Sequence, residues 1–423
     1  MSDGTTRNRF ARPDVAAGVL LFAVYCATLA RGVTFWDAGE FQAAIHSLGI
    51  PHPPGTPLFI LLAKVWSMVA APIVGFTIAV NAFSALCTAL AFGIVANVFW
   101  RSTRDAVASF AAALTAGLMS TVWLNATETE VYACSLLGAF VIVWGAHKYA
   151  QTLERRWVVL TLYTCGLAWS LHLTALLTVP VAFYFIAFAQ KRPNIRTIVI
   201  GLLLSVLGGS AILFMLIRAQ HDPAINQGNP STVGALIDVV FRHQYDVAPL
   251  WPRRAPLWLQ FGNVFEYADW QVALGLGPEP GPTIARTTVT VLYALLGIYG
   301  SMRHRIINRS SWRAWMILLV TTSIGVVLYL NLHAGASYGD GILPPGAKHE
   351  ARDRDYFFTW AFVCWGAWAG FGAVRLARAV ALRSRATVER SRDIVSAAVV
   401  VAVLPMVLNW SAVRELRQTE QRR

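Results

Sequence analysis

Asp37 and Glu40 stand three residues apart in Thr34-Phe35-Trp36-Asp37-Ala38-Gly39-Glu40-Phe41, and Ile50-Pro51-His52-Pro53-Pro54-Gly55-Thr56-Pro57 follows closely. On a helix that spacing puts both acids on one face, and Gly39 offers little cover between them. Two carboxylates beside aromatic side chains can hold a cation or take a proton from a hydroxyl group. Near an apolar surface a carboxylate is desolvated, which raises its pKa toward the range useful to a general base. The alternative is structural: the acids cap or solubilise the start of a short helix. The spacing leaves both readings open.

The elements that must position these acids lie in a membrane. The 423-residue chain is 56% hydrophobic and only 13% charged, with a mean hydropathy of +0.52, whereas a soluble protein carries about 25% charged residues. Runs such as Val15–Ala30, Thr77–Trp100, Ile195–Ile217 and Thr287–Gly300 approach the ~20 residues that match a bilayer's hydrocarbon core. Spans are expected at about 14–31, 77–100, 105–122, 132–149, 157–171, 173–190, 197–218, 284–300, 314–332, 356–374 and 394–410. The fold class is therefore all-α, a polytopic membrane protein of about eleven transmembrane helices. The first run carries no clear cleavage site, so it reads as a retained helix.

The net charge of +13 does not mark a nucleic-acid binder. Basic residues fall in short clusters between apolar runs, the pattern of cytoplasmic loops. With Arg7, Arg9 and Arg12 inside, and Arg101 and Arg104 inside as well, the apolar stretch Pro57–Ile73 must lie on or re-enter the outer face. The external segments are then about 32–76, 123–131, 219–283 and 333–355, and most acids fall on that side. The chain reads as one transmembrane domain over 1–423 with no soluble C-terminal domain, in a bacterial inner membrane with a cytoplasmic N-terminus. Its five cysteines sit in or beside apolar runs with no zinc or disulfide spacing.

The Trp-Asp-x-Gly-Glu motif, the His-Pro-Pro-Gly turn and the outer-face apolar helix resemble a family long catalogued as a domain of unknown function. That family includes the metazoan transmembrane protein O-mannosyltransferase acting on plexin-type IPT domains. It is similar in turn to the GT-C superfamily of lipid-sugar-dependent glycosyltransferases. Further matches are Trp123–Ala133 (WLNATETEVYA), Ser170-Leu171-His172-Leu173-Thr174, Arg242-His243-Gln244-Tyr245, and the run from His349 to Phe358 with its Arg-Asp-Tyr-Phe motif. Animal members continue into a lumenal repeat-rich domain, which this sequence does not show.

The resemblance implies GT-C-like juxtamembrane helices in the first external loop and an active site on the extracytoplasmic face. It implies transfer of a hexose, mannose by analogy, from a polyprenyl-phosphate donor to a protein or glycan hydroxyl, with inversion. Asp37 would be the general base, and Glu40 would orient it or the acceptor. Cationic groups must meet the departing phosphate. Arg352 and Arg354 suit this, because a guanidinium fork matches phosphate oxygens, and Lys348, His349 and His52 are alternatives. Pairing of the two arginines with neighbouring Asp353 and Asp355 is the structural reading. Glu128 and Glu130 would bind sugar hydroxyls or a cation, or form a solvated turn; His172 would be a ligand or a packing residue. No metal ligand set and no cofactor is assigned, although a divalent cation at the acids stays open. The expected partners are the lipid-linked donor, the acceptor and membrane lipids. The rival reading is a transporter or flippase, which calls for ionisable residues in mid-span, and few are found.

Overall fold

The computed structural model describes residues 12–245, 248–277, 281–339, 343–344 and 346–420. Its helices are α1 (Pro13–Ala27), α2 (Asp37–Ser47), α3 (Pro57–Val74), α4 (Phe76–Thr103), α5 (Ala106–Gly117), α6 (Ser120–Ala126), α7 (Val131–Thr152), α8 (Arg155–Leu171) and α9 (Val179–Ala187). They continue as α10 (Ile195–Gly209), α11 (Leu213–Ala219), α12 (Val233–Val240), α13 (Leu257–Ala273), α14 (Ile284–Ile307), α15 (Arg309–Val320), α16 (Val326–Leu330), α17 (Thr359–Arg383) and α18 (Val388–Glu420). Side-chain caps set several starts: Asp105 accepts from Ala108 N, Asn194 from Thr197 N, and Asn308 from Ser311 N. These bonds satisfy amides a helix leaves unpaired at its first turn.

Counting α10 with α11 and α15 with α16 as one stretch each, eight helical stretches among the described residues are long and apolar enough to cross a membrane, or nine if the bent pair α5–α6 is one span. The eleven spans expected from hydropathy are not reached. The fifteen residues of α1, the seventeen of α8 and the short apolar stretch Leu173–Ala187 fall below that length. The span expected at 105–122 is broken, with α5 and α6 meeting at 75°. In the other direction, the eighteen residues of α3 suffice to cross, although the charge bias had set Pro57–Ile73 aside as non-spanning.

The centre of the bundle is built from small residues. Helix α17 is wedged between α5 and α14, and its Gly366, Gly370 and Gly372 let the backbones touch. A Cβ on Gly366 would lie 2.7 Å from Ala116 Cα, and one on Gly372 would lie 3.0 Å from Gly300 N. Lipid tails are as apolar as leucine, so helices in a membrane associate through such close packing and through hydrogen bonds. The break after α5 shows how freed backbone groups are satisfied. Asn409 of α18 donates to Leu118 O at 3.0 Å and to Gln271 O at 2.9 Å, and it accepts from Leu274 N at 2.8 Å. At the basic end, Asp105 receives Arg375 and Arg378 from α17. Helix α17 is thus tied at its basic end to the start of α5, and the residues just before it carry the 349–358 motif.

Gly372→Val should lower the thermal unfolding midpoint of the detergent-solubilised protein, corresponding to about 1–3 kcal/mol for overpacking. Gly234→Ala, where an added Cβ meets nothing within 4 Å, should leave the midpoint unchanged or slightly raised.

Candidate functional site

The first loop is turned by a strained residue. Trp36 has φ 64° and ψ −134°, a left-handed conformation costing a non-glycine residue on the order of 1–3 kcal/mol. The turn makes Asp37 the first residue of α2, where the helix dipole favours a negative charge. A buried polar network anchors α2 below. Gln42 Nε2 donates to Asn81 Oδ1 and Thr129 Oγ1, both at 3.2 Å, and Thr129 Oγ1 donates to Asn81 Oδ1 at 2.5 Å. Asn81 Nδ2 donates to Ala30 O at 2.8 Å. The loop after α1, helices α2 and α4, and the segment before α7 are thereby locked together.

Asp37 and Glu40 take different partners. Arg352 Nη2 donates to Asp37 Oδ2 at 2.9 Å, with the guanidinium carbon 5.1 Å from the Trp36 ring centroid and 5.2 Å from that of Tyr356. Such placement over aromatic faces favours a cation. Glu40 directs both oxygens to His52, accepting from its backbone amide at 2.9 Å and meeting its Nδ1 at 2.5 Å. Glu40 therefore orients His52; the expectation that it would orient Asp37 has no bond behind it.

Arg352 and Arg354 do not pair with Asp353 and Asp355. The arginines and the aspartates of this stretch turn to different partners. Asp353 accepts from Ser337 Oγ at 3.0 Å and Tyr267 Oη at 3.4 Å, and Asp355 accepts from Thr121 Oγ1 at 2.5 Å. Arg354 donates to Tyr356 Oη at 2.7 Å and lies 3.9 Å from Glu350 Oε2. The aspartates hold the loop, and the arginines face the cavity.

That cavity measures about 740 Å³ and is lined by Asp37, Glu40, His52, His172, Arg352 and Arg354, among others. Six of the ten site residues expected from sequence thus share one space. His172 Nδ1 accepts from Thr174 N at 3.3 Å and lies 2.6 Å from Thr174 Oγ1. Burial, then the charge of Arg242, lowers its pKa to about 3, so it is neutral, with Nε2 as the protonated nitrogen. The other four stand off the lining. Glu128 and Glu130 are not among its lining residues. Lys348 lines a separate pocket, and His349 meets Gly335 O through Nδ1 at 2.7 Å. The structure adds Arg242, Gln244 and Tyr245 to the wall. Arg242 lies over the Tyr245 ring at 5.0 Å, and its Nε is buried without a hydrogen-bond partner. The Arg-His-Gln-Tyr motif carried this signal, but spacing alone gave it no role.

Residues 37–195 match the family described as Protein O-mannosyl-transferase TMEM260 N-terminal domain. The match runs from the start of α2 to the start of α10. The chain is 25% identical over 251 residues to Protein O-mannosyl-transferase TMEM260 of Mus musculus, covering 57% of this chain and 35% of that protein. It is 26% identical over 266 residues to the Dictyostelium discoideum protein of that name, covering 57% and 32%. The chain spans about a third of the length of these curated relatives. In fold it is similar to ArnT from Cupriavidus metallidurans bound to undecaprenyl phosphate, with a TM-score of 0.59 and 11% identity over 96% of this chain and 77% of that one. It is also similar to the archaeal oligosaccharyltransferase AglB from Archaeoglobus fulgidus, in complex with an inhibitory peptide and a dolichol-phosphate. There the TM-score is 0.52 at 11% identity, over 96% of this chain and 55% of that one. The architecture is the GT-C-like helical membrane fold.

Burial, then the charges of Glu128 and Asp37, pushes the Glu130 carboxyl well above its ordinary range, and its Oε2 has no hydrogen-bond partner. The folded protein therefore holds a proton there that the unfolded chain releases above about pH 4.3. Stability falls as pH rises from that value toward the folded pKa. Glu130→Gln keeps the neutral shape, so it should flatten the decline of the unfolding midpoint between pH 5 and 8. An unchanged slope in a thermal series would show that Glu130 is ionised in the folded protein.

Proposed function

We propose that this chain transfers a hexose, mannose by family likeness, from a polyprenyl-phosphate donor to a protein or glycan hydroxyl. The observation that carries this reading is one cavity joining a carboxylate at a helix start, a histidine–glutamate pair and three arginines. The donor class is supported by two fold relatives whose structures hold undecaprenyl phosphate and a dolichol-phosphate. The cavity faces the extracytoplasmic side of a bacterial inner membrane, the N-terminus is cytoplasmic, and α2 and α3 are the juxtamembrane helices of the first external loop. The exposed Leu62, Val65, Met68 and Val69 of α3 suit a helix lying against lipid.

In this reading Asp37 takes the acceptor hydroxyl's proton. The acceptor oxygen forms the new bond to the anomeric carbon while the bond from that carbon to the phosphate oxygen breaks. The lipid phosphate leaves with the electron pair, and configuration inverts. Arg352 and Arg354 offer fixed donors to the charge developing on that phosphate, and such preorganised donors act most strongly away from water. Arg352 also touches the base, so acid–base chemistry and leaving-group stabilisation share one side chain. Glu40 holds His52 at the cavity wall, and Arg242 offers a further cationic donor.

Asp37→Asn should reduce turnover of a polyprenyl-phosphate mannose by ~10²–10⁴-fold if general-base catalysis is its role. Arg352→Gln should cost on the order of 10²–10³-fold through loss of a charge-stabilising donor. Transfer assays on purified, normally folded variants read both. Unchanged turnover in Asp37→Asn would remove the base assignment. Wild-type protein that moves the lipid across vesicles but forms no glycosidic bond would replace the reading with a flippase.

A further inference from the structure

A second cavity of about 680 Å³ is lined by Pro249, Pro252, Arg253, Arg254, His333 and Lys348. It adjoins the end of α16, whose other side, through Val326, Tyr329 and Leu330, lines the main cavity. Its wall is built. Arg253 donates to Leu328 O at 2.7 Å, Val327 O at 2.8 Å and Leu250 O at 3.3 Å, and its Nε to Gln260 Oε1 at 3.2 Å. Asn331 fixes the loop from below, accepting from Arg254 N at 2.8 Å and donating to Pro249 O at 2.7 Å and Pro252 O at 3.0 Å.

Every acceptor of Arg253 in that set is neutral, so its hydrogen bonds are met while, among the described residues, no carboxylate pairs with its charge. Lys348 is exposed on the same pocket. Glu350, two residues further on, is directed to His333 N at 2.9 Å and toward Arg354. No carboxylate occurs among the described lining residues.

The surface beside this pocket is apolar and aromatic. Trp251 is 78% exposed, Trp258 65% and Phe265 74%, with Leu250 and Leu257 also exposed. Leu257, Trp258 and Phe265 share one face of α13, since positions seven and eight apart fall on one stripe of a helix. Tryptophans beside arginine and lysine are the side chains found at the boundary between lipid tails and headgroups. Two separate features therefore point to one partner: an apolar face that water disfavours, and a cationic pocket at its edge.

We propose that residues 249–265 lie in the headgroup layer on the cavity side of the membrane. The apolar face of α13 rests at the acyl boundary, and the pocket, through the charges of Arg253 and Lys348, seats the phosphate of an anionic phospholipid. The bound headgroup then abuts the end of α16, so membrane composition bears on a wall of the main cavity. This inference needs the chain to be in a membrane; it does not rest on the transfer reaction.

Two measurements test it. Native mass spectrometry of the purified protein with phosphatidylglycerol or phosphatidylcholine should show selective retention of the anionic lipid. Retention should weaken tenfold or more in Lys348→Glu, a charge reversal beside a phosphate, and recover in Lys348→Arg. Equal retention in wild type and Lys348→Glu, or displacement of the phospholipid from this pocket by a polyprenyl phosphate, would overturn the assignment. The second places a nitroxide at Phe265→Cys in nanodiscs, with exposed Cys26 and partly exposed Cys165 changed to serine. Collisions with oxygen should exceed those with a water-soluble nickel chelate. The reverse order would put α13 in water and sink the proposal.

Discussion

Asp37 and Arg352 are 315 residues apart in the chain and 2.9 Å apart in space. The rest of the structure can be understood as the means of keeping them there. One lies on a short helix entered through a strained turn, the other on a loop, and neither kind of element is rigid alone. Rigidity comes from what lies beneath. The Gln42–Asn81–Thr129 network fixes the first, and the attachments of Asp353 to Ser337 and Asp355 to Thr121 fix the second. Thr121 belongs to α6, beyond the 75° break, so the kink in that span presents a hydroxyl to the arginine loop.

Removing buried polar groups from water is costly unless they are bonded, and more so in hydrocarbon. Asn409 meets this requirement by closing the carbonyls and the amide that the broken helices leave open. Polar residues inside the bundle therefore divide into two kinds. Asn81, Asn409, Gln271 and Asp355 hold breaks and loops in place. Asp37, Arg352 and Arg242 face the cavity. The first kind makes the second possible, because a charged side chain on an unanchored loop would move toward water.

The sequence carried much of this, unevenly. Asp37, Glu40, His52, Arg352 and Arg354 could be singled out because charge is rare in so apolar a chain. The all-helical membrane fold followed from composition. The spans were overcounted because hydropathy registers composition and not interruption. It does not show that the stretch expected at 173–190 yields only the short helix α9, or that the chain bends between Gly117 and Ser120. Glu40 meeting His52 depends on how the Pro-Pro-Gly turn folds back, a tertiary matter that spacing does not encode. Asn81 was hidden in an apolar run and Thr129 in a polar one, since a hydrogen bond between distant segments leaves no local pattern. Arg242 stood in a motif without a role, because its approach to the cavity depends on the chain between α11 and α13.

The charge arrangement also bears on what the cavity suits. Glu40 is joined to His52 and Asp37 to Arg352, and Arg354 and Arg242 stand on the same walls, Arg242 with an unbonded Nε. Its described lining thus holds three arginines against two carboxylates, and both carboxylates already have partners. Such a space favours an anion, and its guanidinium groups suit phosphate oxygens in particular. Leu173, Leu177, Val326 and Leu330 in the same lining add apolar surface. A ligand with an anionic head and an apolar chain satisfies both kinds of wall at once. A small polar solute would leave the apolar part exposed to water, and a neutral lipid would leave the arginine charge without a counterpart. Asp37, bonded to Arg352, sits where that anionic head would compete for the same guanidinium. In the proposed reaction the base and the leaving group would share that single side chain.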